Sequence, residues 1–272
     1  MILFPNCKIN LGLHILKKRE DGFHDLETIF YPIPLLDGLE IIQHPAPVTS
    51  IEFSSSGLIV EGDPSDNICV KAYLLLKKDF PQLPAVKMHL HKTIPMGAGL
   101  GGGSADGAFA LVLLNRKFNL GLDEQSLLGY ALQLGSDCPF FIRNTPCFAT
   151  GRGENMESIS LDLSSYTFVV VNPNIHVNTG WAFSQLIPSA ERPSLVEIIR
   201  QPVETWKGIL KNDFEEPITR HHPEISACKD QLYRRGAIYA SMTGSGATVY
   251  GIFPKGSNPI FSFPASYFVK IQ

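Results

Sequence analysis

The chain has 272 residues, 44% of them hydrophobic, and carries a formal net charge of −3 with no long basic run. That length and apolar share suffice for one large domain or two modest ones, while the charge argues against a general nucleic-acid or membrane-surface role. Asn6, Lys8 and Asn10 exclude the apolar core of a signal peptide, no stretch is long and apolar enough to span a membrane, and five scattered cysteines outside any Cys-x-x-Cys pair fit free thiols in a reducing cytoplasm.

Residues 8 to 16 alternate in the manner of a half-buried strand, with Ile9, Leu11, Leu13 and Ile15 facing one way and Lys8, Asn10, Gly12 and His14 the other. Asp21-Gly22 reads as a hairpin turn into a second strand through Ile29. Further strands are expected at Leu39–Gln43, Ser50–Phe53 and Val86–Lys92. Between the last two, Ile68–Phe80 has helical content, capped by Asp66 or Asn67. Ala105–Phe118 reads as a buried helix, and Asp123–Leu134 as another that ends at Gly135. Phe168–Val171 is a short apolar strand, and residues 187–223 suit surface helices and loops. A helix over Glu224–Arg235 leads into strand, glycine turn and strand (Ile238–Phe253), with Phe268–Ile271 closing. Strands and helices mix without strict alternation, so the class is α+β. His89-x-His91 places two imidazoles on one strand face, but Lys87 shares it and no third ligand is near, so an exposed strand side is expected rather than a metal site.

The segment Pro95-Met96-Gly97-Ala98-Gly99-Leu100-Gly101-Gly102-Gly103-Ser104 holds five glycines in ten residues, directly before the helix. Glycines let main-chain N–H groups approach a ligand closely, and a helix start adds the positive end of its dipole, which together suit a phosphate. Gly97-x-Gly99-x-x-Gly102 matches a dinucleotide fingerprint by letter. However, Pro95 interrupts the approach, and the acid at the right distance, Asp123, opens another helix instead of closing a strand. No Lys-Ser or Lys-Thr follows, so a Walker-type loop fails as well. The loop is a phosphate cradle without a lysine of its own, and the neutralising charge must come from elsewhere or from Mg²⁺.

This central stretch is similar to the phosphate motif of the galactokinase, homoserine kinase, mevalonate kinase and phosphomevalonate kinase superfamily. Pro5-Asn6-Cys7-Lys8-Ile9-Asn10-Leu11 and Met242-Thr243-Gly244-Ser245-Gly246-Ala247-Thr248-Val249 resemble its two other motifs, in the expected order. Arg19-Glu20-Asp21-Gly22-Phe23-His24-Asp25-Leu26-Glu27-Thr28 and Leu134-Gly135-Ser136-Asp137-Cys138-Pro139-Phe140-Phe141 narrow the resemblance. They point to the branch that phosphorylates a cytidine-diphosphate-linked methylerythritol in the non-mevalonate isoprenoid pathway. The resemblance implies ATP as co-substrate with Mg²⁺. It also implies an N-terminal ATP-binding domain over residues 1–150 of the ribosomal-protein-S5-like kind, a ferredoxin-like domain over 151–272, and an active site between them. Another kinase of the superfamily and a non-catalytic nucleotide-binding protein are the alternatives.

Phosphoryl transfer needs the γ-phosphoryl held in line, charge neutralised, and often a carboxylate to accept the hydroxyl proton. Asp137 occupies the family's catalytic aspartate position; from spacing alone it could equally cap a short helix near Pro139. The family implies Lys8 as its partner, where the plain alternative is a lysine on a strand's wet face. The resemblance puts Asn10 on the substrate and Asn67 and Lys92 around the adenine. It gives the triphosphate to Pro95, Met96, Gly97, Ala98, Gly99, Leu100, Gly101, Gly102, Gly103 and Ser104, although Ser104 could instead cap the helix. Asp106 reads as an acid favoured by the dipole in a first helical turn. Phe23 and His24 stand where the family grips the cytosine ring. Phe23 replaces a more usual tyrosine, which keeps the stacking face and loses a phenolic hydrogen bond. Phe183 matches the ring's opposite face or is ordinary core, Thr179 a nearby polar contact, and Arg152 a charge beside the diphosphate.

Overall fold

The computed structural model describes residues 1–45 and 51–272. The strands are β1 (Ile2–Leu3), β2 (Asn6–Lys18), β3 (His24–Leu36), β4 (Gly38–Gln43), β5 (Glu52–Gly57), β6 (Val86–Lys92), β7 (Cys147–Gly151), β8 (Asn155–Ser158), β9 (Tyr166–Asn172), β10 (Tyr239–Met242), β11 (Val249–Pro254) and β12 (Phe268–Ile271). The helices are α1 (Ile68–Asp79), α2 (Gly102–Phe118), α3 (Glu124–Leu134), α4 (Cys138–Arg143), α5 (Thr179–Ser184), α6 (Leu195–Ile199), α7 (Glu215–His221) and α8 (Pro223–Arg234). The chain divides into two compact units, one of Met1–Cys7, Pro34–Met96 and Gly101–Thr145, the other of Lys8–Ile33, Gly97–Leu100 and Pro146–Gln272.

In the first unit the strands run in the order β1-β4-β6-β5; the β5–β6 pairing is parallel, and the β1–β4 and β4–β6 pairings are antiparallel. Val86, Met88 and Leu90 alternate inward along β6 while His89 and His91 bond the Ser54 and Ser56 hydroxyls on the other face. Asn67 starts α1 by accepting a hydrogen bond from the Cys69 amide at 2.9 Å, the capping role expected of it. The helix α2 is small-sided and almost wholly enclosed: Ala105, Ala108, Ala110, Leu111, Leu113 and Leu114 are buried. Each such leucine contributes about 1.5–3 kcal/mol by leaving water. α2 begins at Gly102, three residues before the expected start, so the last two glycines of the loop lie in its first turn.

The second unit holds two sheets, in the orders β2-β3-β7-β8 and β10-β11-β9-β12. The core of this unit gathers Val169, Val171, Met242, Val249 and Phe253 from the second sheet with Ile218, Ile225 and Leu232 from α7 and α8. The expected strands at both ends of the chain are present, generally longer than the sequence suggested. β3 runs past Ile29 to Leu36, and Ser50 of the expected Ser50–Phe53 strand lies outside the described residues.

Two expectations are corrected. β2 is no half-buried strand, because Asn6 through Ile15 are all enclosed and Lys8 is only 4% exposed. The polar face is covered since its groups find partners, among them His14, whose Nδ1 lies 3.0 Å from Glu27. Gly135 ends α3 in extended backbone, at φ 169, rather than in the left-handed cap usual for glycine.

Candidate active site

In the second unit, Lys8 and Asn10 project from the same side of β2, as strand alternation requires. Lys8 Nζ donates to Asn10 Oδ1 at 2.8 Å and stands 4.8 Å from the centroid of the Phe30 ring, a cation–π distance. Asn10 is itself fixed from every side. Its Oδ1 also accepts from Thr243 Oγ1 and from the Gly244 amide, each at 3.0 Å. Its Nδ2 donates to Thr28 Oγ1 at 2.9 Å, and its backbone N–H donates to Thr243 Oγ1 at 3.0 Å. The amide orientation follows from this network, with oxygen toward the ammonium and nitrogen toward the hydroxyl. The result is an enclosed lysine whose head group is held by a side chain that cannot turn.

The glycine loop is shared between the units, Gly97–Leu100 grouping with the second and Gly101 onward with the first. Within the second unit the Leu100 carbonyl accepts from the Lys8 amide at 2.9 Å, and the Gly99 carbonyl lies 3.2 Å from Thr243 Oγ1. Gly99 has φ +75, and a Cβ there would overlap the Thr243 carbonyl, so glycine is obligatory at this position. Within the first unit Gly101 is the helix N-cap and offers no side chain, leaving the first amides of α2 uncapped from that residue. A Cβ at Gly103 would meet nothing within 4 Å. Ser104 sits inside the first turn, not at the cap; the Cys138 thiol of α4 is buried, and burial pushes its pKa up to about 12.

Beneath that turn the Lys92 ammonium is wedged between Asp37 and Asp106, all three side chains at most 3% exposed. Asp37 Oδ1 accepts the Thr93 and Ile94 amides at 2.5 and 2.9 Å, tying the entry of the loop to the same cluster. Burial and the neighbouring Asp37 raise the Asp106 carboxyl to about 7 against the pull of Lys92. For Lys92 burial works downward, yet the two carboxylates prevail and the ammonium is raised. Asp106 is thus a buried ion-pair member past the first turn of α2, and not the first-turn acid favoured by the dipole that the sequence suggested. Asp137 stands at the N-cap of α4, and its side chain makes no capping hydrogen bond to that helix.

The residues expected at a nucleobase fall in the second unit. His24 stacks on Phe183 with centroids 4.7 Å apart and planes 19° off parallel, and Phe183 meets Phe214 edge-on at 4.9 Å. Burial, aided by Lys18, lowers the His24 pKa, which favours the neutral ring. Phe23 is 52% exposed with the Arg152 guanidinium over its face at 4.7 Å. Thr179 Oγ1 lies 3.1 Å from Ser245 Oγ. Thr28 and Thr243 escaped notice as anchors of Asn10, although both lie inside quoted motifs. Asp37 has no local signal at all, being separated from Lys92 by 55 positions.

A family model described as GHMP kinases N terminal domain matches residues 67–145, and one described as GHMP kinases C terminal matches residues 194–260. A 4-diphosphocytidyl-2-C-methyl-D-erythritol kinase of Azobacteroides pseudotrichonymphae is 52% identical over 264 residues, 97% of either chain. One of Bacteroides fragilis is 53% identical over 253 residues, 93% of this chain and 92% of that one. The crystal structure of a 4-(cytidine 5'-diphospho)-2C-methyl-D-erythritol kinase superposes with a TM-score of 0.79 at 31% identity, covering 93% of this chain and 90% of that one. Sharing about half its residues with such enzymes along nearly its whole length, the chain belongs to the 4-diphosphocytidyl-2-C-methyl-D-erythritol kinase family of the GHMP kinases.

Proposed function

We propose that the chain transfers the γ-phosphoryl group of ATP to the C2 hydroxyl of 4-diphosphocytidyl-2-C-methyl-D-erythritol, giving the 2-phosphate and ADP. Family membership is what chiefly supports this reading, together with the enclosed, fixed Lys8 on β2. Asp137 takes the hydroxyl proton, and Lys8 stabilises the charge that develops on the acceptor oxygen, its position set by Asn10. The amides of Gly97 to Gly103 and the Ser104 hydroxyl hold the triphosphate, with Asn67 on the adenine side; Lys92, expected there too, is instead sealed between Asp37 and Asp106 and supports the loop from below. Mg²⁺ enters as part of the substrate, chelated by the triphosphate; such ions keep several waters and need few protein ligands.

His24, Phe23 and Phe183 bind the cytosine, Asn10 and Thr179 the remaining polar groups, and Arg152 the diphosphate. The Arg152 guanidinium over the Phe23 face supports that last role, because it puts a cation beside the residues assigned to the cytosine. We assign an N-terminal domain of 1–150 and a C-terminal one of 151–272; the family matches at 67–145 and 194–260 lie on either side of that boundary, while the compact units additionally group Lys8–Ile33 and Gly97–Leu100 with the C-terminal half. The protein works in the cytoplasm on small molecules, without nucleic acid or membrane. No helix among the described residues is long and apolar enough to cross a membrane. A coupled ADP-release assay with the cytidine substrate, mevalonate and homoserine tests the reading. ADP release with the cytidine compound alone is expected, and comparable turnover on either of the others would refute the substrate assignment.

A further inference from the structure

The cluster under the phosphate loop holds one cation and two anions, and it is closed to water. A Cβ built on Gly102, the first residue of α2, would lie 3.1 Å from Lys92 Nζ, so the cluster touches the helix end directly. Its two acids are not equivalent. Asp37 accepts from Lys92 and from two backbone amides, which leaves it satisfied as a carboxylate. Asp106 accepts from Lys92 through Oδ2 at 2.8 Å, whereas its enclosed Oδ1 has no hydrogen-bond partner. An ionised oxygen in that state forfeits its hydration without return.

Among the described residues of the first unit, Lys92 is the one buried cation. From α1 comes the Cys69 thiol, held neutral by burial, and from α4 the Cys138 thiol, likewise neutral. The buried side chains of α3 are Leu127 and Ala131, while β4 brings Leu39 and Ile41 and β1 brings Ile2 and Leu3. The cluster therefore carries a net negative charge one turn from the helix end that, on the function proposed above, receives a polyanion. Triphosphate and ionised Asp106 repel through a poorly screened interior.

We propose that loading a nucleoside triphosphate onto the glycine loop is coupled to protonation of Asp106, with a proton from solvent forming the O–H bond at the orphaned Oδ1. Lys92 and Asp37 then remain as a neutral pair beneath the phosphates, and the loop entry stays tied through Thr93 and Ile94. Lys92 acts in this scheme as a positioning residue whose ammonium serves the loop from below. Because Asp106 titrates near neutrality in the free protein, a rise of about one unit on binding corresponds to roughly half a proton per nucleotide at about pH 7.5.

Calorimetric titration of the full chain with Mg·ATP, without the cytidine substrate, in buffers of different ionisation enthalpy measures this uptake. The wild type is expected to take up a proton fraction that Asp106→Asn loses while still binding ATP. Equal uptake in both, or none in the wild type, overturns the proposal. Infrared difference spectra of the wild type labelled with ¹³C-aspartate supply a second measurement that does not depend on the variant folding. A protonated aspartate carbonyl band should appear with ATP and not with adenosine, and its absence with ATP bound also overturns the proposal. ATP that fails to bind at all would sink the nucleotide reading itself, whereas binding without proton uptake would sink only this coupling.

Discussion

Gly103→Ala separates a structural glycine from a ligand-facing one. Gly103 is the second residue of α2 and has ordinary backbone, and the space its Cβ would enter is empty to 4 Å. On the protein alone the change should be favourable, since alanine is preferred over glycine in a helix by about 0.5–1 kcal/mol. If a phosphate occupies that space, the added methyl pushes it off the first-turn amides. Loss of one amide bond to a charged oxygen costs about 1.5–3 kcal/mol, which corresponds to roughly 10- to 150-fold weaker nucleotide binding. The expected combination is a melting temperature that is unchanged or higher and a Kd for Mg·ATP that rises at least tenfold, read by thermal unfolding and calorimetry on the same preparation. Gly99→Ala is the contrast: its left-handed backbone and the overlap with the Thr243 carbonyl should cost stability and binding together. A Gly103→Ala protein that is stable and binds ATP with unchanged affinity would refute the phosphate-cradle reasoning.

Asp137→Asn keeps the shape of the side chain but removes the base, so turnover should fall by about 10²–10⁴-fold while ATP affinity stays within about twofold; near wild-type turnover would remove Asp137 from the chemistry. Thr243→Val strips a buried hydroxyl that serves Asn10 on two sides, and urea unfolding should show a loss of about 1–3 kcal/mol, with a lower kcat as Lys8 loses its fixed partner. Burial depresses the His24 pKa and so favours its neutral ring. Any stability it confers is therefore present above its unfolded value and lost as pH falls through and below about 6.5. KM for the cytidine substrate should be flat above neutrality and rise in acid, and a His24→Gln protein with the same acid limb would show that another group is responsible. Phe23→Ala should raise KM for that substrate more than Phe23→Tyr, because the stacking face and the seat of Arg152 go together.

Local signals in the sequence carried a good part of this. The glycine run before an alanine-rich helix, the Asn67 cap and the alternation of Val86–Lys92 follow from short-range stereochemistry, and each appears in the structure. The burial of the polar face of β2 was not legible. Alternation shows that Lys8 and Asn10 share a side, but whether that side is wet depends on Thr243, which lies 233 positions from Asn10. The same limit hid the role of Asp106. A first-turn acid and a buried ion-pair member are spelled alike, and only the placement of Lys92 and Asp37 separates them. Asp137 is singled out by its motif alone, and the structure adds that its side chain makes no capping bond to α4. His24 stacked on Phe183 could not have been read from spacing, because 159 residues separate two rings that meet face to face.

The most direct measurement is a crystal structure of the ternary complex with a non-hydrolysable ATP analogue and the cytidine substrate. The acceptor hydroxyl should lie within hydrogen-bond reach, about 2.6–3.2 Å, of the Asp137 carboxylate, with Lys8 Nζ beside it and the γ-phosphorus in line at the glycine amides. A hydroxyl more than one water away from Asp137, or a triphosphate seated off the Gly97–Ser104 amides, would contradict it.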